Sequence, residues 1–146
     1  MKASRRDPRH RAREAALQIL YQWEIGRTDV SSAADTFFGL QWADAEPPSD
    51  DIRTFATELA HETVRRLTES DALIADTAER WRPERMAVLD RLILRMSIAE
   101  LLRASSTPPP VVINEALELA RTFSTEEAVK FINGMLDAIR KKIETR

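Results

Sequence analysis

The sequence contains no cysteine among its 146 residues. A disulfide framework, a cysteine-ligated zinc site and a thiol nucleophile are therefore excluded, and a cytoplasmic location is expected. Only three glycines occur, which is fewer than β-strands joined by tight hairpins usually need. No apolar run approaches the roughly 20 residues that a membrane-spanning helix requires, so we expect no membrane partner.

Charge is distributed unevenly along a chain whose formal net charge is only −2. Residues 1–14 contain six Lys or Arg and two acidic residues, whereas residues 28–51 contain six acidic residues and no Lys or Arg. The total charge gives no indication of a nucleic-acid partner. The position of the basic residues predicts that an anionic partner binds near the N-terminal end.

Apolar residues recur at helical spacing through most of the chain. We therefore predict an all-α protein, a single compact bundle of about seven helices, with residues 1–146 as one domain and residues 1–8 as a flexible basic arm. The first predicted helix covers residues 9–25. A short second helix follows Ser31 or Ser32 and carries Phe37, Phe38 and Leu40, and a third begins at about residue 50. The remaining four cover about residues 71–81, 83–103 and 111–123, and residue 124 onward.

Several local signals mark where these helices begin and end. Gly26 is placed to stop the first helix, and residues 44–51 read as an acidic loop. Residues 108–110 are three prolines that should interrupt the chain before the sixth helix. Ser124 and Glu127 have capping-box spacing at the start of the seventh. The fifth helix is apolar on most sides, which predicts a central position.

The basic N-terminal segment is the first candidate site. Arg9 and Arg13 are four residues apart and should share a helical face, while Arg5 and Arg6 precede Pro8 on the predicted arm. Guanidinium groups bind phosphate in a bidentate manner and stack on bases, and such contacts dominate nucleic-acid affinity. A solvated, frayed terminus explains the same residues equally well.

A side face of the last helix is the second candidate site. Glu127, Phe131, Gly134 and Ala138 follow a spacing of three or four residues, offset from the core stripe. Glycine inside a helix costs about 1 kcal/mol relative to alanine, so a close approach by a ligand or a neighbouring helix is one reason to keep it. Phe131 could stack on an unpaired base. The residues alone favour helix packing over RNA binding.

Signals for catalysis are poor. His10 and His61 are distant in sequence and neither has metal-ligand spacing around it. The chain has no phosphate-cradling glycine loop and no GxSxG motif. We therefore predict a protein that is not an enzyme and that needs no metal and no cofactor.

Three segments in the same order resemble the NusB family of bacterial transcription antitermination factors. The first helix resembles the family's opening helix, and the other two resemble its INEA-containing helix and its FVNGVLD signature. The segments are RHRAREAALQILYQW (residues 9–23), VVINEALELARTF (residues 111–123) and KFINGMLD (residues 130–137).

The resemblance implies that the protein binds the boxA element of ribosomal RNA leader transcripts. It also implies binding of NusE, the small-subunit ribosomal protein that doubles as an elongation factor, within an antitermination complex on RNA polymerase. The family includes monomers and dimers, which leaves open whether this chain forms a homodimer that covers the RNA surface.

Family RNA contacts can be carried over residue by residue. Glu127 stands where aspartate is frequent, and His10 stands where arginine is frequent, which would weaken a phosphate contact at neutral pH. Asp90 is the expected contact for the partner protein. The implied RNA-binding residues are Arg5, Arg6, Arg9, His10, Arg11, Arg13, Tyr21, Arg121, Phe123, Glu127, Lys130 and Phe131. The two ends of the chain are expected to converge on one RNA groove.

Two alternatives stay open at this point. NusB-like domains also precede the catalytic domains of ribosomal-RNA cytosine methyltransferases, but those enzymes need a second, glycine-rich cofactor domain that this sequence does not contain. A stand-alone helical protein-interaction module is the other alternative. Such a module would not need the basic N-terminal segment.

Overall fold

The computed structural model describes residues 7–42, 46–78, 85–103 and 107–145. The described residues form seven α-helices and one π-helical turn, with no β-strand among them, which confirms the predicted all-α class. The helices are α1 (Pro8–Gly26), α2 (Val30–Thr36), α3 (Asp50–Arg65), α4 (Leu67–Thr77), α5 (Val88–Leu102), α6 (Pro109–Phe123) and α7 (Glu126–Glu144), with the π-helical turn (Phe37–Gln41) directly after α2.

The chain divides into two compact units between Val64 and Arg65. In the first unit, α1 contacts α2 and the π-helical turn. In the second unit, α5 contacts α4, α6 and α7, and α7 likewise contacts α4, α5 and α6. The central position predicted for α5 is consistent with the burial of eight of its residues, although α7 contacts as many helices. The prediction of one domain over residues 1–146 stays a prediction.

Helix α1 begins inside the segment that we expected to be a flexible arm. Asp7 caps it by accepting a hydrogen bond from the Arg9 backbone N–H at 3.0 Å, and Pro8 occupies the first turn, where its missing N–H costs nothing. The prediction of an arm is therefore wrong for Asp7 and Pro8, and its other residues lie outside the described part of the chain. The helix ends at Gly26, one residue beyond the predicted range of residues 9–25, and Arg27, not Gly26, is the cap with left-handed φ, 55°.

Helix α2 begins at Val30, not after Ser31 or Ser32. Asp29 is the cap, and its carboxylate accepts the Ser32 backbone N–H at 2.9 Å and the Ser32 hydroxyl at 3.1 Å. These two hydrogen bonds favour the ionised form and hold the pKa of Asp29 below its ordinary value. The aromatic residues Phe37 and Phe38 are buried in the π-helical turn and not in an α-helix, whereas Leu40 is 83% exposed.

Helix α3 begins at Asp50, as predicted. The Ser49 hydroxyl oxygen accepts the Ile52 backbone N–H at 3.2 Å, so the preceding loop ends at Ser49. Asp50 and Asp51 lie in the first turn, where negative charge stabilises the helix dipole. The buried residues of the helix are Ile52, Ala56, Leu59, Ala60 and Thr63.

The boundaries of α4 and α5 differ from the predicted ones. Helix α4 covers Leu67–Thr77 instead of residues 71–81, and α5 covers Val88–Leu102 instead of residues 83–103. Apolar periodicity determines which face is buried but leaves the ends poorly defined, since no strong cap precedes either helix. Trp81 and Pro83, which marked the predicted boundary, lie outside the described residues.

Helix α6 includes two of the three prolines that were expected to precede it. Pro109 and Pro110 form its first turn, where proline loses no hydrogen bond. Helix α7 begins one residue later than the capping-box prediction. Thr125, not Ser124, is the cap, and its hydroxyl oxygen accepts the Ala128 backbone N–H at 3.1 Å. The Ser124 hydroxyl instead donates to Asp90 Oδ1 at 2.6 Å.

Candidate nucleic-acid interface

The basic residues at the start of α1 differ sharply in exposure. Arg9 is exposed and Arg11 is half-buried. His10 and Arg13 are only 2% and 3% exposed. Direction around the helix separates His10 and Arg11 from Arg9. Arg9 and Arg13 are four residues apart on one face, so their difference in exposure depends on their position along the helix and not on direction around it. Arg5 and Arg6 lie outside the described residues.

The arginines of α1 lie against aromatic rings from later in the first unit. The guanidinium carbon of Arg9 is 4.2 Å from the Phe55 ring centroid, and that of Arg13 is 5.1 Å from the same ring. The guanidinium carbon of Arg11 is 5.0 Å from the Trp42 ring. Cation–π contacts at these distances orient a guanidinium without neutralising its charge.

Trp42 is held in place by several neighbours. Its Nε1–H donates to the Glu46 backbone carbonyl at 2.8 Å, and its ring lies 6.3 and 5.8 Å from the rings of Phe37 and Phe38. A shallow cleft of about 120 Å³ lies beside the indole and is also lined by Arg11. Sequence reasoning missed Trp42 and Phe55, because their partners are about 30 and 40 positions away and no local pattern connects them.

Two other predicted residues of α1 have different surroundings. The Nε2 atom of His10 lies 3.3 Å from a carboxylate oxygen of Glu14, one turn later on the helix. Tyr21 is 42% exposed and therefore accessible to a ligand. The predicted role of His10 at an RNA phosphate is not supported by its burial, whereas Tyr21 has the exposure that a base-stacking residue needs.

The predicted side face of α7 borders a cavity in the second unit. The cavity is about 250 Å³ in volume and is lined by Arg85, Asp90, Glu127 and Phe131, among others. Phe131 is half-buried, and Glu127 and Lys130 are exposed. An aromatic ring, a carboxylate and cationic groups are the side chains that bind an unpaired base and its phosphate. Asp90, which was predicted to contact a protein partner, lies in the same cavity.

Gly134 makes room for no neighbouring helix within the described chain. A Cβ atom placed there would meet no described atom within 4 Å, and the residue is exposed. The interpretation that Gly134 admits a packed helix, which the residues alone favoured, is therefore wrong for this chain. Close approach by a ligand, on the same face as Phe131, stays a prediction.

The end of α6 supplies the remaining predicted residues. Arg121 is exposed and lies 3.3 Å from the Glu118 carboxylate one turn earlier, while Phe123 is half-buried at the last position of the helix. Only two residues separate α6 from α7. Arg121 and Phe123 therefore lie close in sequence to the start of the face that carries Glu127 and Phe131.

Neither a metal-binding cluster nor a membrane-spanning helix is found in the part of the chain that the structure describes. No group of three or more His, Cys, Asp or Glu side chains there could hold a metal ion. No described helix is both long enough and apolar enough to cross a membrane.

Sequence comparisons identify the relatives of this chain. The NusB family model matches residues 10–141. The chain is 44% identical over 136 residues to the transcription antitermination protein NusB of Koribacter versatilis, covering 93% of this chain and 90% of that protein. It is 45% identical over 135 residues to the protein of that name from Solibacter usitatus, covering 92% and 90%.

Structural comparisons agree with the sequence comparisons. The T. maritima NusB structure superposes with a TM-score of 0.81 at 32% identity, covering 92% of this chain and 91% of that one. A structure of the antitermination factors NusB and NusE in complex with double-stranded RNA gives 0.78 at 26% identity, with coverages of 92% and 97%. Both the sequence and the helical architecture lead to one conclusion: the chain belongs to the NusB family.

Proposed function

We propose that this protein is a transcription antitermination factor that binds boxA RNA of ribosomal RNA leader transcripts together with the ribosomal protein NusE. It acts within the antitermination complex on RNA polymerase, in the cytoplasm. The observation that carries the proposal is the family match over residues 10–141, which includes the α7 surface and Arg11 and Tyr21 of the α1 surface, while Arg9 directly precedes the matched range. A relative that superposes over 92% of this chain has been solved with NusE and RNA.

The two surfaces have complementary roles in the proposal. Arg9 and Arg11 supply guanidinium groups for phosphates, and the exposed ring of Tyr21 is available to a base. Phe131 stacks on an unpaired base, and the neighbouring Glu127 carboxylate accepts from a base amino group. Lys130 and Arg121 add exposed positive charge, and Phe123 lies at the end of α6. The proposal assigns RNA contacts to each of the two surfaces.

Two of the predicted RNA-binding residues are too buried to contact RNA directly. Arg13 and His10 are 3% and 2% exposed, so a phosphate could reach neither without local rearrangement. We propose that Arg9 and Arg11 make the direct contacts and that Arg13, which packs against the same Phe55 ring as Arg9, has a structural role. Arg5 and Arg6 complete the basic segment in the proposal, on the strength of their charge alone.

For the protein partner, we propose a surface that includes Asp90 at the start of α5. Its carboxylate already accepts the Ser124 hydroxyl at 2.6 Å, and this hydrogen bond orients it. One carboxylate oxygen is enough for that contact, and the other can accept from a donor on NusE.

The proposed function requires no catalytic step, because binding RNA and a protein partner is sufficient. The methyltransferase alternative is disfavoured by the relatives, which carry the antitermination name and are covered over about nine-tenths of their length. The alternative of a protein-only module is disfavoured by the NusB relative that was solved with RNA.

The proposal is tested by replacing Phe131. The change Phe131→Ala should weaken binding of a labelled single-stranded boxA RNA by about 1–3 kcal/mol, since a base loses its stacking partner. Fluorescence anisotropy with and without NusE measures the affinity, and a scrambled RNA of equal length reports non-specific binding. Phe131→Tyr is the matched control, because it retains the ring and should retain most of the affinity.

Two results would contradict the proposal. Equal affinity of the wild-type protein for boxA and scrambled RNA, with NusE present, would remove the proposed target. If Phe131→Ala has a native circular-dichroism spectrum and binds boxA RNA with unchanged affinity, Phe131 has only a structural role.

A further inference from the structure

A single uncharged ring lies beneath two arginines of α1. The guanidinium carbons of Arg9 and Arg13 are 4.2 and 5.1 Å from the centroid of Phe55, on α3. Arg9 and Arg13 are one helical turn apart and carry like charges, which repel at this spacing. The negative face of an aromatic ring attracts both cations, so Phe55 offsets part of that repulsion.

The two arginines differ in what they can do from this position. Arg13 is 3% exposed, so it serves to pack the ring and not to meet a ligand. Arg9 is exposed, so its guanidinium lies between the ring and solvent. Phe55 is half-buried, which fits a residue packed on one side and covered by an arginine on the other.

The backbone of Arg9 is held as well as its guanidinium group. Asp7 accepts the Arg9 N–H at 3.0 Å and so orders the first turn of α1. The hydrogen bond fixes the backbone of Arg9, and the ring contact fixes its guanidinium group. The side chain between them therefore samples fewer rotamers than an arginine in open solvent does. A flexible arginine loses rotamer freedom when it binds a phosphate, and this loss weakens binding. The loss is smaller for an arginine that is already held in place.

We infer that Phe55 is a positioning residue for RNA binding, which holds the Arg9 guanidinium in place for a phosphate of the bound strand. The inference rests on the proposed function and names a residue outside the set of direct contacts. The Phe55 side chain has no charge and no hydrogen-bonding group, so it acts on the phosphate through the cations against its ring, of which Arg9 is exposed and Arg13 is buried. Its effect on affinity is therefore separable from the effect of charge.

The test replaces the ring and retains the apolar bulk. Phe55→Leu should weaken binding of single-stranded boxA RNA on the order of three- to tenfold, through loss of the cation–π contact and of its preorganisation. The slope of log K against log salt concentration should stay at its wild-type value, because no phosphate-binding charge is removed. Phe55→Tyr, which retains an aromatic face, should restore near-wild-type affinity.

A double-mutant cycle separates positioning from a general structural role. Phe55→Leu should have no effect on RNA affinity in an Arg9→Ala background, because the group that Phe55 positions is then absent. In the RNA-free protein, the Nε–H resonance of Arg9 should lose its ring-current shift in Phe55→Leu. Thermal unfolding of each variant identifies any that fails to fold, in which case Phe55→Met, which also retains apolar bulk and lacks an aromatic face, replaces Phe55→Leu in the cycle.

The outcomes distinguish this inference from the proposed function. If wild-type protein with NusE binds boxA RNA no better than scrambled RNA, the proposed function fails and the inference fails with it. If the wild type binds specifically and Phe55→Leu binds equally well, only the inference is overturned. Equal losses from Phe55→Leu with and without the Arg9 side chain would likewise overturn it, because the ring would then act independently of Arg9.

Discussion

A Cβ atom placed at Gly134 would meet no described atom within 4 Å, although glycine is the least stable ordinary residue inside a helix after proline. The residue is exposed and lies one turn from Phe131 on the same side of α7. Packing among the described residues therefore gives no reason for a glycine here. A ligand that approaches the helix backbone beside Phe131 gives one.

The change Gly134→Ala should raise the free energy of unfolding by about 0.5–1 kcal/mol, because alanine loses less backbone entropy in a helix and has room for its methyl group. Urea denaturation measures the change. Ala138→Gly, one turn later, is the matched control and should lower the stability by a similar amount. If Gly134→Ala lowers the stability, an unseen neighbour lies close to residue 134. If it raises the stability and weakens boxA binding, the RNA contacts the helix backbone at this position.

Among the secondary-structure elements, the helix starts show where local sequence patterns suffice and where they do not. Helix α3 begins at Asp50 and α6 ends at Phe123, close to the approximate positions predicted for them. The start of α7 was shifted by one residue. Ser124 and Thr125 are both good caps in isolation, and the position of Asp90, 34 residues earlier, draws the Ser124 hydroxyl away.

Two ion pairs of different exposure connect α4 to its neighbours in the second unit. Arg95 on α5 donates from Nε and Nη2 to the two carboxylate oxygens of Asp71, each at 2.8 Å, and the Arg95 side chain is only 12% exposed. Lys142 on α7 lies 2.8 Å from Asp76, but the Asp76 side chain is 74% exposed. The bidentate, partly buried pair should contribute more to stability than the solvated one.

Asp71→Ala should therefore lower the free energy of unfolding by about 1–3 kcal/mol, since a mostly buried guanidinium loses its bidentate partner. Asp76→Ala, on the same helix, is the matched control and should cost at most about 0.5 kcal/mol. Chemical denaturation at low and moderate salt measures both. Equal costs for the two changes would mean that burial does not decide the strength of these pairs.

For the whole molecule, the placement of charge matters more than its sum. A protein of net charge −2 has no general attraction for RNA, so its affinity must come from local groups of cations. Arg9 and Arg11 are close together near the start of α1 and their guanidinium groups are held on aromatic rings. Positive charge ordered in this way can bind phosphates while the rest of the surface repels non-specific RNA.

Removing these charges should change how RNA binding depends on salt. In Arg9→Ala and in Arg11→Ala, the slope of log K against log salt concentration should fall in magnitude by about 0.7 for each phosphate that the variant no longer neutralises. Lys141→Ala is the control of equal charge, because Lys141 is exposed on α7 and lies 3.3 Å from Asp137, outside the predicted RNA-binding set. If all three variants share the wild-type slope, the α1 arginines do not bind phosphates.

The order of amino acids was enough to establish the all-helical class, the order of the helices, the basic N-terminal segment and the resemblance to the NusB family. Periodicity, capping residues and charge act between neighbours a few positions apart, so they can be recognised along the chain. Only the tertiary structure established that Arg13 and His10 are buried while Arg9 is exposed. It also established that the rings of Phe55 and Trp42 contact the arginines. Those outcomes depend on side chains that are distant in sequence and meet only after the chain has packed.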